Sequence, residues 1–461
     1  MPDRWWTSFG DPGLDLHVNQ ALGENLSLAV ALERLRAARA LTRREASDLF
    51  FDIDGIIGID STMGPGRNRT NVAWGLDAAY QVDLWGQIQS RVEAERLRAE
   101  ATHADYHAVA LSLAAEVART WFSLIEAHAQ IELLKKQLKT NQDGLISQKA
   151  RFGVGAGGGS PDVLRQQQLV ESTLEQTVVV RARIEVLEHE MAVLLGQLPQ
   201  AANYSPGAVL PDLPSLPYTG LPSELLMRRP DVRRDYLAFV AADRDLASAI
   251  SAQYPRLNLT GSLINSADRA ENLFRDWFVS IGGQLIAPLI DGGQRRAEVD
   301  RTSALVRQRF NEYGQTMLIA FREVEDNLAL ERYQIQRIER LIKQAEFAEQ
   351  ASEQLRQRFI TNDATFLDIL SSIQSEQRLQ REILSAKLDL ILIRIGLYLA
   401  LAGDFDARPE SVIDLPSDPP QISEEISADK RRLPADPPDL PSGLTERLPA
   451  VEPIGASDFN E

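Results

Sequence analysis

Apolar residues fall seven apart at Val117, Leu124, Ile131, Leu138 and Leu145, and again at Phe321, Leu328, Ile335 and Ile342. That spacing is the seam of a coiled coil, and it predicts helices over 87–151 and 294–359. At 1.5 Å per residue each would be roughly 100 Å long, more than any compact domain needs. Between the helical tracts the period changes to two. In 72–84, Val72, Trp74, Leu76, Ala78, Tyr80, Val82 and Leu84 share one parity, with small or polar residues on the other. This alternation predicts strands at 52–60, 72–84, 257–264 and 279–289, either half-buried in a soluble sheet or with lipid on one side and water on the other.

The order of elements occurs twice. At an offset of 207, Gly86-Gln87 matches Gly293-Gln294, Glu116-Val117 matches Glu323-Val324, Ile131 matches Ile338, and Arg151-Phe152 matches Arg358-Phe359. At 206, Gly55 matches Gly261 and Asp162-Val163-Leu164 matches Asp368-Ile369-Leu370. Each copy reads as a helix, two strands, a very long helix, a break and a second helix. The domains are therefore a first repeat at 1–205, a second at 206–403 and a tail at 404–461. The tail holds 10 of the 23 prolines and 14 acidic against 5 basic residues, the composition of an extended or disordered segment.

The breaks are read as hairpin tips. Five glycines, Gly153, Gly155, Gly157, Gly158 and Gly159, follow Arg151-Phe152, and glycine takes the left-handed conformation of a helix end without a Cβ clash. Ser160 is then an N-cap candidate with Pro161 at the first helical position. Asn362 holds the corresponding place in the second copy. Four strands cannot close a membrane barrel, so if these strands lie in lipid the chain must oligomerise.

Composition removes several alternatives. A net charge of −17 argues against nucleic-acid binding, and the absence of cysteine excludes disulfides, thiolate metal sites and thiol nucleophiles. The most apolar stretch, 388–403, carries Arg394 at its centre, which argues against a helical membrane span. His103 and His107 are four apart, but HADYH lacks the glutamate of H-E-x-x-H, and the ordinary reading is two polar helix positions. Gly153, Gly155 and Gly158 satisfy G-x-G-x-x-G only formally, because a helix rather than a strand precedes them. No catalytic residues, cofactor or metal are expected, and the chain does not read as an enzyme.

Several motifs in order carry a resemblance. VDLWGQ (82–87) and APLIDGGQRRAE (287–298) look like paired strand-to-helix junctions, LPSELLMRRPDVR (221–233) is followed by Tyr254-Pro255, and WWTSFGDPGL (5–14) opens the chain. Over about 5–403 the sequence resembles the TolC-type outer-membrane factors, within them the OprM/NodT-like efflux channels. The resemblance implies a mainly α fold with a membrane β-barrel. In such a homotrimer each chain gives four strands to a twelve-stranded barrel in outer-membrane lipid, and long helical hairpins to an α-barrel across the periplasm. It implies a passive exit duct of a tripartite efflux system, as in multidrug resistance, docked through a periplasmic adaptor onto an inner-membrane pump, commonly proton-driven. A duct for type I protein secretion is the alternative. A soluble periplasmic coiled-coil adaptor, a different class, would leave the strands without a purpose.

The family narrows its periplasmic end just after the second tip. Leu367 falls at the apolar gate position, while Ser371 stands where a carboxylate is often found, so either Asp368 takes that role or the ring is absent. The alternative for Asp368 and Asp162 is a helix-start carboxylate stabilised by the helix dipole. Arg151, Phe152, Gly155, Arg358, Phe359 and Asn362 are the adaptor-docking candidates at the tips. An export signal and the lipid-bearing N-terminal cysteine that makes many relatives lipoproteins are expected features not found in the sequence.

Overall fold

The computed structural model describes residues 4–64, 67–154, 159–201, 204, 206–216, 228–267, 275, 277–361 and 363–401. A 3-10 turn (Trp5–Phe9) leads to α1 (Pro12–Glu24) and α2 (Leu26–Ser47), then β1 (Asp52–Gly64), β2 (Arg67–Val82), α3 (Gln87–Gly153) and α4 (Ser160–Leu194). The second half gives α5 (Pro230–Ser251), β3 (Arg256–Ala267), β4 (Trp277–Ile286), α6 (Gln294–Ile360) and α7 (Phe366–Leu401). Both long helices span 67 residues, and their starts lie at the repeat's offset. The tail at 404–461 lies outside the described residues.

The opening helix of the first half is two helices. Asn25 interrupts it: its side-chain oxygen caps α2 by accepting from the amides of Ser27 (2.9 Å) and Leu28 (3.1 Å), while Nδ2 donates to the Leu194 carbonyl at 2.9 Å. The strand-to-helix junctions are one device used twice. Gly86 (φ 70°) and Gly293 (φ 89°) turn the chain through the left-handed region. A carboxylate then caps the new helix, Asp83 accepting from Gln89 N at 2.8 Å and Asp291 from Gly293 N at 3.0 Å and Arg295 N at 3.3 Å. These turns end β2 at Val82 instead of Leu84. Likewise β4 ends at Ile286 instead of Leu289, just before Pro288, which has no N–H for a ladder.

The main core lies where the 3-10 turn, α1, α3 and α7 meet. Trp5, Trp6, Phe9 and Leu14 are buried there against Phe122, Ile395 and Tyr398. Trp5 stacks on Tyr398 at 5.5 Å, Phe9 meets Phe122 at 5.0 Å, and Trp121 Nε1 donates to Asp11 at 2.8 Å. The middle of α3 is buried by these contacts. Among the described residues α3 has one window apolar enough to cross a membrane, but 67% of that window is buried in the fold.

The heptad seams differ from the expectation. In α3 the buried stripe runs through Val117, Leu124 and Ile131 and continues as Leu134, Gln137, Asn141 and Gln148, leaving Leu138 and Leu145 half-buried. In the same stretch of α6 the buried positions are Ala320, Val324, Glu331, Gln334, Ile338 and Leu341; Phe321 and Leu328 are half-buried, and Ile335 and Ile342 are exposed in the single chain. Glu331 explains Arg394. The two form a fork-to-fork pair (2.8 and 2.6 Å), both nearly inaccessible, and Arg394 Nη1 donates to the carbonyls of Pro214 and Ser215.

Removing one partner would leave the other charge buried. Arg394→Met should therefore cost about 3–5 kcal/mol, and adding Glu331→Leu should restore most of it. Urea unfolding in detergent measures both, and equal stability of single variant and parent would mean that the pair is not buried as described.

Candidate functional site: the sheet and the hairpin tips

The strands form one antiparallel meander in the order β1-β2-β3-β4. Its register sorts the side chains into two faces. Ile57 pairs with Trp74, Trp74 with Asn265 and Asn265 with Trp277; Gly55, Leu76, Leu263 and Val279 form the neighbouring row. With Ile53, Ile59, Tyr80, Leu259, Ile281 and Leu285 they make a face of large apolar groups, interrupted by Gly55 and by the fully buried Asn265. The opposite face carries Asp52, Asp54, Asp60, Asp77, Gln81, Thr260, Ser262, Ser280 and Gln284, with Ile56, Ile264, Phe278 and Ile286 as its apolar exceptions. Each apolar residue here is costly in water, and Ile57 and Ile281 are 82% and 89% exposed.

At the first tip α3 ends in Gly153, with Val154 at the C-cap (φ −98°) and Gly159, extended at φ −94° and ψ 168°, as the N-cap of α4. Neither described glycine is left-handed. Gly155, Gly157 and Gly158, on which that expectation also rested, lie outside the described residues, as does Asn362. The cap is Gly159 rather than Ser160, so the helix starts one residue early and Pro161 occupies its second position. Asp162 pairs with Arg165 at 2.9 Å.

The second tip is held by a capping box. Thr365 Oγ1 donates to the Asp368 carboxylate at 2.6 Å, Thr365 N donates to it at 3.0 Å, and Asp368 N reaches back to Thr365 Oγ1 at 3.3 Å. These bonds, the hydroxyl's first, hold the Asp368 carboxyl below the ordinary aspartate range. Leu367 and Ser371 lie four apart on one exposed helical face, while Ile369 and Leu370 are buried. The Arg151 guanidinium sits 4.1 Å over the Phe359 ring, which joins the tips of the two hairpins. Phe359 faces Phe366 at 6.3 Å; Phe152 and Arg358 are exposed.

Above the tips, amides join the hairpins. Asn141 Nδ2 donates to Gln377 Oε1 at 3.2 Å while Asn141 Oδ1 accepts from Gln377 Nε2 at 2.9 Å, Gln137 Nε2 donates to Gln380 Oε1 at 2.9 Å, and Arg381 donates to Gln137 at 2.6 Å. This polar seam was missed from sequence, although Gln130 and Gln137, and Asn141 and Gln148, recur seven apart.

The family described as outer membrane efflux protein matches residues 17–197 and 221–403, one block in each repeat. The chain belongs to that family. It is an outer-membrane efflux channel that spans the periplasm. The pyoverdine export outer membrane protein OpmQ of Pseudomonas aeruginosa is 27% identical over 426 residues, covering 88% of each chain. Nodulation protein T of Rhizobium leguminosarum is 26% identical over 414 residues, 87% of this chain and 84% of its own. Among solved structures, the outer-membrane channel OprN superposes with a TM-score of 0.83 at 28% identity, over 87% of this chain and 93% of its own.

The described part of the RRPDVR segment of this efflux channel has a mechanical role. Arg229 is buried, forks onto Asp231 (3.0 and 2.7 Å), pairs with Glu323 of α6 at 2.8 Å and donates to the Ala400 carbonyl at 3.2 Å. It thereby fixes the start of α5 to the end of α7; residues 221–227 lie outside the described residues. Among the described residues no group of three or more ligating side chains could hold a metal.

The two sheet faces should respond differently to charge. Ile281→Arg should cost about 2–4 kcal/mol of stability in lipid, whereas its neighbour Ser280→Arg should cost little. Denaturant unfolding in liposomes checks this, and equal costs would mean that the faces are misassigned.

Proposed function

We propose that three copies of this chain join edge to edge, each giving four strands to one twelve-stranded barrel in outer-membrane lipid. Their hairpins then form a duct through the periplasm. The observation that carries this reading is the sheet. β1 and β4 are edge strands, and hydrocarbon tolerates no unpaired ladder. Apolar groups left bare on the single chain support it: Val178, Val186 and Val193 on α4, and Phe310, Leu318 and Phe347 on α6, all more than half exposed.

The duct does no chemistry. An inner-membrane pump, proton-driven in this reading, supplies the energy and a periplasmic adaptor makes the junction. The cargo is small toxic molecules, a class supported by relatives named for the efflux of solvents and toluene. Arg151 stacked on Phe359 makes the two tips one surface, and with Phe152, Gly155, Arg358 and Asn362 it receives the adaptor. Leu367, Asp368 and Ser371 narrow the entrance: the apolar side chain excludes water, and the carboxylate, repeated three times around the axis, favours cations.

Leu367→Ala with Asp368→Ala should raise single-channel conductance in planar bilayers; an unchanged value would remove both residues from the constriction. The pH dependence has a definite sign. Because the folded carboxyl titrates below the unfolded value of 3.8, its charge is present at neutral pH and lost only as pH falls through that lower value. Cation preference should therefore stay constant from about pH 7 to 5 if Asp368 sets it.

A further inference from the structure

One pair of side chains is arranged for chemistry that the duct does not use. His103 and His107 stand one turn apart on α3, with their Nε2 atoms 3.2 Å from each other and the rings edge to face at 4.5 Å. They extend toward the sheet the stripe that carries Ala110, Ala114 and Val117 into the core. His107 is accordingly buried, while His103 is half-buried and reaches solvent.

A gap of 3.2 Å suits a single N–H···N hydrogen bond, one ring nitrogen donating and the other accepting. It is also the bite of a chelate. An ion about 2.0–2.1 Å from both nitrogens would see them at an angle of about 100°, between octahedral and tetrahedral values. A pair of imidazoles with no thiolate nearby suits borderline ions and not magnesium or calcium, which take oxygen. We infer that His103 and His107 form a bidentate site for a divalent transition ion such as Zn²⁺, Ni²⁺ or Cu²⁺. Two protein ligands make it an exchangeable site and not a structural one, which would need four.

The test uses the purified full chain in mild detergent, titrated with copper(II) sulfate and, separately, zinc sulfate. Calorimetry should give one site per chain, and electron paramagnetic resonance of the copper form should show coupling to two imidazole nitrogens. His103→Ala, at the half-buried position, should weaken binding at least tenfold, as should His107→Gln, which keeps a polar side chain in the buried place. His128→Ala should bind like the parent. Circular dichroism shows that each variant is folded. Parental affinity in both pair variants, or no two-nitrogen signal from bound copper, overturns the assignment, and an ion held by surface carboxylates would give that result.

Discussion

The constraint on which this structure depends is the hydrogen-bond requirement of backbone in hydrocarbon. Four antiparallel strands satisfy every internal ladder and leave β1 and β4 each with a bare edge. In water such an edge is a liability; in lipid each orphaned group costs several kcal/mol. The requirement cannot be met within one chain, because four strands are too few to curve back on themselves. The closure by identical copies proposed above meets it, and gives the apolar groups left bare on α4 and α6 neighbouring copies to pack against. The long hairpins follow from closure too, since a ring of strands feeding directly into helices continues as a ring of helices.

The continuation rests on two small devices. Left-handed Gly86 and Gly293, each with a carboxylate over the new helix N-terminus, redirect strand into rod at matching points of the two repeats. Two buried arginines then hold the second repeat in place: Arg229 ties the start of α5 to the middle of α6 and the end of α7, and Arg394 ties α6 and α7 to the segment at Pro214 and Ser215. An arginine in the most apolar stretch of the chain thus has a fixed carboxylate and two carbonyls to satisfy it.

Much of this was legible in the residues. The 207-residue offset locates both rods to within two residues at each end, because Gly86-Gln87 and Arg151-Phe152 mark junction and tip chemistry that both halves need. Period-two alternation finds all four strands but not all of their ends; those of β2 and β4 are set by Asp83 turning back to cap a helix and by Pro288. The heptad reading holds in α6 for Phe321 and Leu328, which pack on a buried cluster, and fails beyond them because it followed large apolar groups. The stripe buried within one chain uses Glu331 and Gln334, and Ile335 and Ile342 face outward. At the second tip, Thr365 three residues before Asp368 makes the capping box that fits the helix-start reading of that carboxylate. The histidine spacing was visible too, but only the structure gives the distance between the ring nitrogens.

The most direct test of edge-to-edge closure is the protein mass of the purified chain in mild detergent, by light scattering corrected for bound detergent. A trimer that needs detergent to stay in solution is the predicted result. A monodisperse monomer or dimer, soluble without detergent, would contradict the account, because the bare edges and the apolar sheet face would then have no lipid and no neighbour to cover them.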